Sequence, residues 1–160
     1  MAEKIDYKKF YVAPHKVVSL PVESEEELRR VNEAAPILAE MCHVDHGMYP
    51  SAFAVAHSQI NDIDPLRFFV DYRGLAVINP VITRHTEHVV KSREGCMSFP
   101  DRTPIDVWRW NKIEGTYQTI GQDGKLTEVR SVKLSGREAR VWQHEIDHMN
   151  CKYIYDEKTD

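Results

Sequence analysis

The sequence predicts an α+β domain in which short antiparallel and mixed strands pack around a helix in the C-terminal half. Three observations carry that expectation. A capped amphipathic helix opens at Ser24, short apolar segments separated by turn signals fill the middle, and a second capped helix starts at Ser135. Helix, then strands, then helix is the order of an α+β fold rather than of alternating βα units. A chain of 160 residues, 42% hydrophobic and 29% charged, suits one globular domain, expected to span residues 1–160.

Residues 1–21 read as an extended arm containing Pro14 and Pro21. Ser24 and Glu27 form a capping box, and the acidic run Glu25-Glu26-Glu27 suits a helix N-terminus. Leu28, Val31, Ala35, Leu38, Met41 and Cys42 recur at helical spacing, so the helix is expected to reach about His46, with Gly47 as its stop. His43 and His46 read as helix-end histidines. Pro36 lies inside this span and should kink or divide it, because it removes a backbone donor. After a turn comes the apolar stretch 52–60. Leu66–Val70 and Leu75–Ile78 read as strands joined by the turn Asp71-Tyr72-Arg73-Gly74. Asn79-Pro80 should interrupt before a strand over Val81–Val90, with Arg84, His85, Glu87 and His88 toward solvent. Arg93–Pro100 reads as a loop. Ile105–Trp110 and Ile113–Ile120 read as strands, and Gly121-Gln122-Asp123-Gly124 closes a hairpin that returns over Leu126–Leu134. Ser135 and Glu138 form a second capping box at the last helix.

Composition excludes some functions. The formal net charge of -4 gives no general attraction to nucleic acid or anionic lipid, so direct nucleic-acid binding is not expected. No apolar run approaches the length of a membrane span, and Met1–Lys9 lacks the apolar core of a signal peptide. Cys42, Cys96 and Cys151 form no CxxC pair and do not read as a disulfide framework, which fits a reducing cytoplasm.

The last helix carries Gln143-His144-Glu145-Ile146-Asp147-His148, which contains H-E-x-x-H. Residues four apart share a helix face, so His144 and His148 can point at one metal ion, with Glu145 beside them to act on a water there. Two histidines do not complete a site, since catalytic sites of this kind usually have three protein ligands. The third is a choice between Cys96 and the scattered histidines. Cys96 follows Gly95 in a short loop, and a thiolate with two imidazoles is a coherent set for Zn(II) or Fe(II).

Glu94-Gly95-Cys96-Met97-Ser98 resembles the E-G-C-L-S motif of the peptide deformylase family, and Gln143–His148 matches that family's Q-H-E-x-D-H. The family's G-x-G-L-A-A-x-Q motif corresponds to Ala52–Gln59, which keeps the glutamine but not the glycines, and Val77-Ile78-Asn79-Pro80 is similar to its strand ending in Asn-Pro. The resemblance covers roughly residues 22–156. The chain stops at Asp160, so it looks like a short form without the further C-terminal helix, similar to members carried by some bacteriophages.

The resemblance implies a metal-dependent hydrolase that removes the N-formyl group from the initiator methionine of nascent polypeptides and releases formate. It places one divalent ion on Cys96, His144 and His148. Fe(II) is the expected native metal, with Zn(II), Ni(II) or Co(II) as alternatives. Glu145 would be the acid and base, and the Gln59 amide and the Met97 N–H would stabilise the oxyanion. Phe53, Ala54, Glu94 and Val141 would stand on the substrate side, with Glu94 also holding the ligand loop or a histidine. Ala52, Ala54, His57, Arg137 and Arg140 depart from the family at or near the substrate pocket, which is expected to be reshaped yet to accept methionine. Asp147 should point away from the metal, and Trp142 reads as core. The expected setting is a monomer in the bacterial cytoplasm, including that of an infected host, acting on N-formyl-methionyl chains near the ribosomal exit. The alternatives are a general zinc peptidase, which H-E-x-x-H by itself permits, and a non-catalytic metal-binding or ribosome-interaction module.

Overall fold

The computed structural model describes residues 17–43, 53–60, 64–96, 103–152 and 154. In chain order the elements are α1 (Glu25–Met41), β1 (Ala54–Ala56), a 3₁₀ turn (His57–Gln59), β2 (Phe68–Asp71), β3 (Ala76–His85), β4 (Val89–Glu94), β5 (Ile105–Trp110), β6 (Lys112–Gln118), β7 (Arg130–Ser135) and α2 (Gly136–Met149). Five strands form one sheet in the order β1-β2-β3-β6-β7, and β4 pairs with β5 in a separate two-stranded sheet. All these pairings are antiparallel. The isolated bridge between Leu20 and Leu66 is parallel. This is the α+β arrangement the sequence predicts. Most of the arm, the expected end of the first helix at His46–Gly47, Ala52 and Met97 lie outside the described residues.

The first three strands of the large sheet are apolar on both faces because a helix covers each face. Val31, Leu38 and Met41 of α1 pack with Val55, Phe68, Val70 and Ile78 in one cluster. Phe69 and Val77, one residue out of step, pack with Trp142 and Met149 of α2 on the other side. Alternation of side chains along a strand produces this division. Trp142 stands edge-on to both Phe69 and Tyr117 and is core, as expected. Gly115 in β6 makes room for it: a Cβ there would lie 2.8 Å from the indole and 2.5 Å from the Val81 carbonyl oxygen.

The Ser24–Glu27 capping box forms in full. Pro36, however, does not divide α1, which continues to Met41. Pro36 and Asn32, whose carbonyl loses its intrahelical donor, both face solvent, and water can replace the missing bond.

Asn79-Pro80 does not interrupt the third strand either. β3 runs through both residues, with a register irregularity against β6 between Ile78 and Val81. The strand absorbs the proline as a bulge. Asn79 takes the left-handed conformation (φ 52), which asparagine tolerates better than most residues. Its side chain accepts from the Val22 N–H (2.8 Å) and donates to the Val22 carbonyl (2.9 Å) and to Gln118 Oε1 (3.0 Å). The end of the arm is thereby clasped to the sheet. Ser19 N–H also donates to the Met149 carbonyl at 2.9 Å, which ties the arm to the end of α2.

The break falls later, at residues 86–88, and β4 then extends to Glu94 where a loop from Arg93 was expected. The continuous β4–β5 ladder, from Val89↔Trp110 to Glu94↔Ile105, supplies the reason. Ser135 precedes α2 in extended conformation but makes no side-chain capping bond. Gly136 has φ +60 and gives its N–H to the Asn111 carbonyl, and Glu138 faces Arg73 at 3.6 Å instead of reaching back.

The Asn79 clasp gives a stability prediction. Asn79→Gly keeps the backbone conformation and loses the three bonds, lowering unfolding stability by roughly 1–3 kcal/mol. Asn79→Ala adds left-handed strain and should lower it by about 1 kcal/mol more. Urea unfolding checks both, and three indistinguishable curves would show that the clasp contributes nothing.

Candidate active site

α2 places His144 and His148 one turn apart on one face. Gln143 sets the height of that helix against β5. Its Oε1 accepts from the Trp110 N–H (2.9 Å), and its Nε2 donates to the Trp110 carbonyl (2.8 Å) and to the Ala139 carbonyl (3.0 Å). β4 ends at Glu94, and the next two residues carry Cys96 up to the same helix. The ligand atoms of Cys96, His144 and His148 all lie within 4.8 Å of one another. Cys96 Sγ is 3.3 Å from His148 Nε2. A third ligand among the described histidines is thereby unnecessary: His43 bonds the Tyr72 carbonyl, and His85 stacks on Trp110 at 3.6 Å.

Glu94 is the carboxylate that fixes this arrangement. Its Oε1 accepts from His144 Nδ1 at 2.7 Å, which turns Nε2 of that ring toward the cluster. Arg109 donates to Glu94 Oε2 through Nε (3.0 Å) and to Oε1 through Nη2 (2.8 Å), and Ser92 Oγ donates to Oε2 (2.6 Å). Burial opposes ionisation of Glu94, but the bonds from His144 and Arg109 outweigh it and hold its pKa well below the usual carboxylate range. Arg109 also donates to Asp147 Oδ2 at 2.7 Å. Asp147 thus anchors the helix by way of an arginine, a role the sequence left undecided. Arg109 itself went unnoticed in the sequence, since one arginine in an alternating strand carries no signal of two acidic partners 15 and 38 residues away.

Glu145 and His148 are both buried. Burial pushes Glu145 up to about 8 and His148 down to about 3, so the uncharged form of each is favoured. The 3.4 Å approach of His148 Nδ1 to Glu145 Oε2 is accordingly a contact of neutral groups rather than an ion pair. Glu145 Oε2 is buried without a hydrogen-bond partner among the described residues. A thiol, two imidazoles and a buried carboxylate oxygen with spare accepting capacity fit a divalent metal ion and a water. Gln59 sits at the end of the 3₁₀ turn. Its Oε1 accepts from the Ala56 N–H (2.9 Å), which turns its amide nitrogen inward to 3.9 Å from Cys96 Sγ.

These groups open into a cleft of about 530 Å³ whose walls include Phe53, Ala54, Glu94 and Val141. The expected substrate-side residues therefore meet at one place. His57, a departure noted in the sequence, does not line it. The ring is buried, tilted against Phe68 at 4.9 Å, and its Nδ1 accepts from the Leu66 N–H. Its bulk serves the turn below the site rather than the pocket.

Arg109→Met would leave Glu94 and Asp147 without their shared partner, at a cost of about 3–5 kcal/mol. The sign with pH follows from the depressed Glu94 value. Its stabilisation is complete above the unfolded value of 4.5 and fades as pH falls toward the folded one. Thermal unfolding at pH 7 and pH 4 should show a variant deficit that shrinks on acidification. A deficit independent of pH would show that Glu94 is not the group Arg109 stabilises.

Comparison with known proteins identifies the family. The polypeptide deformylase family profile matches residues 49–160. The chain is 35% identical to the peptide deformylase of Thermotoga neapolitana over 135 residues, covering 82% of this chain and 73% of that protein. Its structure is similar to a crystal structure of the Thermotoga maritima peptide deformylase, with a TM-score of 0.69, 29% identity and coverage of 91% and 95% of the two chains. It is also similar to a probable peptide deformylase from Synechococcus phage S-SSM7, with a TM-score of 0.70, 27% identity and coverage of 95% and 97%. The chain belongs to the polypeptide deformylase family, enzymes that remove the N-formyl group from nascent polypeptides.

Proposed function

We propose that Cys96, His144 and His148 hold one divalent metal ion, Fe(II) in the native protein, and that Glu145 moves the proton during deformylation. The observation that carries this is the convergence of one sulfur and two imidazoles within 4.8 Å beside a buried carboxylate. A divalent ion on these ligands would lower the pKa of a water, polarise the formyl carbonyl and draw Glu145 back toward its ionised form. Glu145 then takes the proton of the attacking water and delivers it to the departing amine, giving formate and a free N-terminus. The Gln59 amide, held by Ala56, donates to the oxyanion, a contribution of about 3 kcal/mol to the barrier. The backbone N–H of Met97 is assigned the second donor on the family resemblance.

The substrate is read as an extended formyl-methionyl chain lying beside β1, an edge of the large sheet. Its first side chain would pack on Phe53 and Val141, which line the cleft with Ala54. No helix among the described residues is long and apolar enough to cross a membrane. The proposed setting is a monomer working on chains near the ribosomal exit in the bacterial cytoplasm, including that of an infected host.

Formate release from formyl-Met-Ala tests the reaction. A peptidase would cut the Met-Ala bond instead, and a binding module would do neither. Glu145→Gln should lower formate release by about 10²–10⁴-fold while bound metal, measured by elemental analysis, stays stoichiometric. Turnover at the native rate in that variant would remove Glu145 from the mechanism. The metal assignment is tested in air. Enzyme loaded with Fe(II) should lose activity through oxidation at the thiolate ligand, and enzyme loaded with Ni(II) or Co(II) should keep it. Equal half-lives for all three would count against Fe(II) as the source of lability.

A further inference from the structure

The cleft has a sign opposite to that of the chain. The formal net charge is -4, yet Lys91, Arg93, Arg137 and Arg140 all line the opening. The two cleft carboxylates do not offset them: Glu94 is bonded to Arg109 and His144, and Glu145 is buried behind it. Arg93 faces Asp106 at 3.4 Å. Lys91, Arg137 and Arg140 have no ion-pair partner among the described residues. Arg137, Arg140, Val141 and His144 share one face of α2, at positions i, i+3, i+4 and i+7. The Arg137 guanidinium itself lies 4.5 Å from the Phe53 ring centroid, so the charged head stands over an aromatic face of the cleft wall.

We propose that this cleft selects formylated chains bearing acidic side chains immediately after the first residue, with Arg137 and Arg140 as the specificity-determining residues. The inference rests on the deformylase reading above. Distances along the helix support it. At ~1.5 Å per residue, Arg140 and Arg137 stand roughly 6 and 10 Å from His144 along the axis of α2. An extended peptide advances ~3.4 Å per residue, so a chain leaving the ligand cluster along this wall meets those heights at about its second and third residues. A carboxylate arriving there finds planar guanidinium donors without an ion-pair partner among the described residues. Lys91 adds charge from the β4 wall. A basic side chain at the same places would meet like charge.

Formate release from formyl-Met-Asp-Glu, formyl-Met-Ala-Ala and formyl-Met-Lys-Lys tests the proposal in the metal-loaded protein at low and high salt. The acidic peptide should show a kcat/KM roughly five- to tenfold above the neutral one at low ionic strength, the basic peptide should fall below it, and salt should compress the range. In R137Q/R140Q the acidic-to-neutral ratio should approach one. The ratio is read within each variant, so a general loss of activity cancels. Lys91→Gln, on a different element, should lower the ratio by a smaller factor. Equal turnover of all three peptides, or a preference that survives both substitutions, would overturn the proposal and leave the deformylase reading intact. No formate from any peptide would overturn both. Inhibition by a short RNA with no peptide preference would assign the cations to phosphate and overturn the proposal as well.

Discussion

The arrangement depends on one buried guanidinium. Arg109, on β5, holds Glu94 at the end of β4 and Asp147 on α2 at the same time. Glu94 in turn orients His144. Three elements that share no long sequence continuity are thereby held in one geometry, and the cysteine two residues beyond Glu94 arrives where the histidines already point. Buried charges of this kind are tolerated only when paired and hydrogen-bonded. Here each has a partner, and the network does not need an exact fit of apolar surfaces to set the positions of the ligands.

Gln143 does for the backbone what Arg109 does for the charges. Its two bonds to Trp110 pin α2 to β5, and a third, to the Ala139 carbonyl, holds the side chain against its own helix. The helix is also wedged by Trp142 against Phe69 and Tyr117, and Gly115 allows that wedge to sit deep. The H-E-x-x-H residues are therefore carried by a helix fixed through polar bonds on one side and aromatic packing on the other. Rigid support of this sort is what a site needs when its chemistry depends on small displacements of a proton.

The departures from the family near the substrate pocket divide in two once the structure is seen. His57 is a core residue, bonded to Leu66 and packed on Phe68, and is remote from the choice of substrate. Arg137 and Arg140 do line the cleft and change its charge. Sequence position could not separate these cases, because which side chains reach the cleft depends on how the turn at His57–Gln59 and the face of α2 are packed in the fold.

The sequence by itself determined the order of helix, strands and helix, the Ser24 cap, the apolar face of α1 and the shared face of His144 and His148 on α2. These follow from spacing along the chain, which needs no knowledge of distant partners. The tertiary structure decided the rest. Asn79-Pro80 stays within a strand because Val22 and Gln118 supply bonds for the Asn79 side chain. β4 persists to Glu94 because β5 pairs with it throughout. Ser135 leaves its capping bond unmade because the helix begins in the left-handed turn of Gly136. Arg109 gained its role only through folding, since a lone charge has no function until burial removes water and leaves two carboxylates as its neighbours.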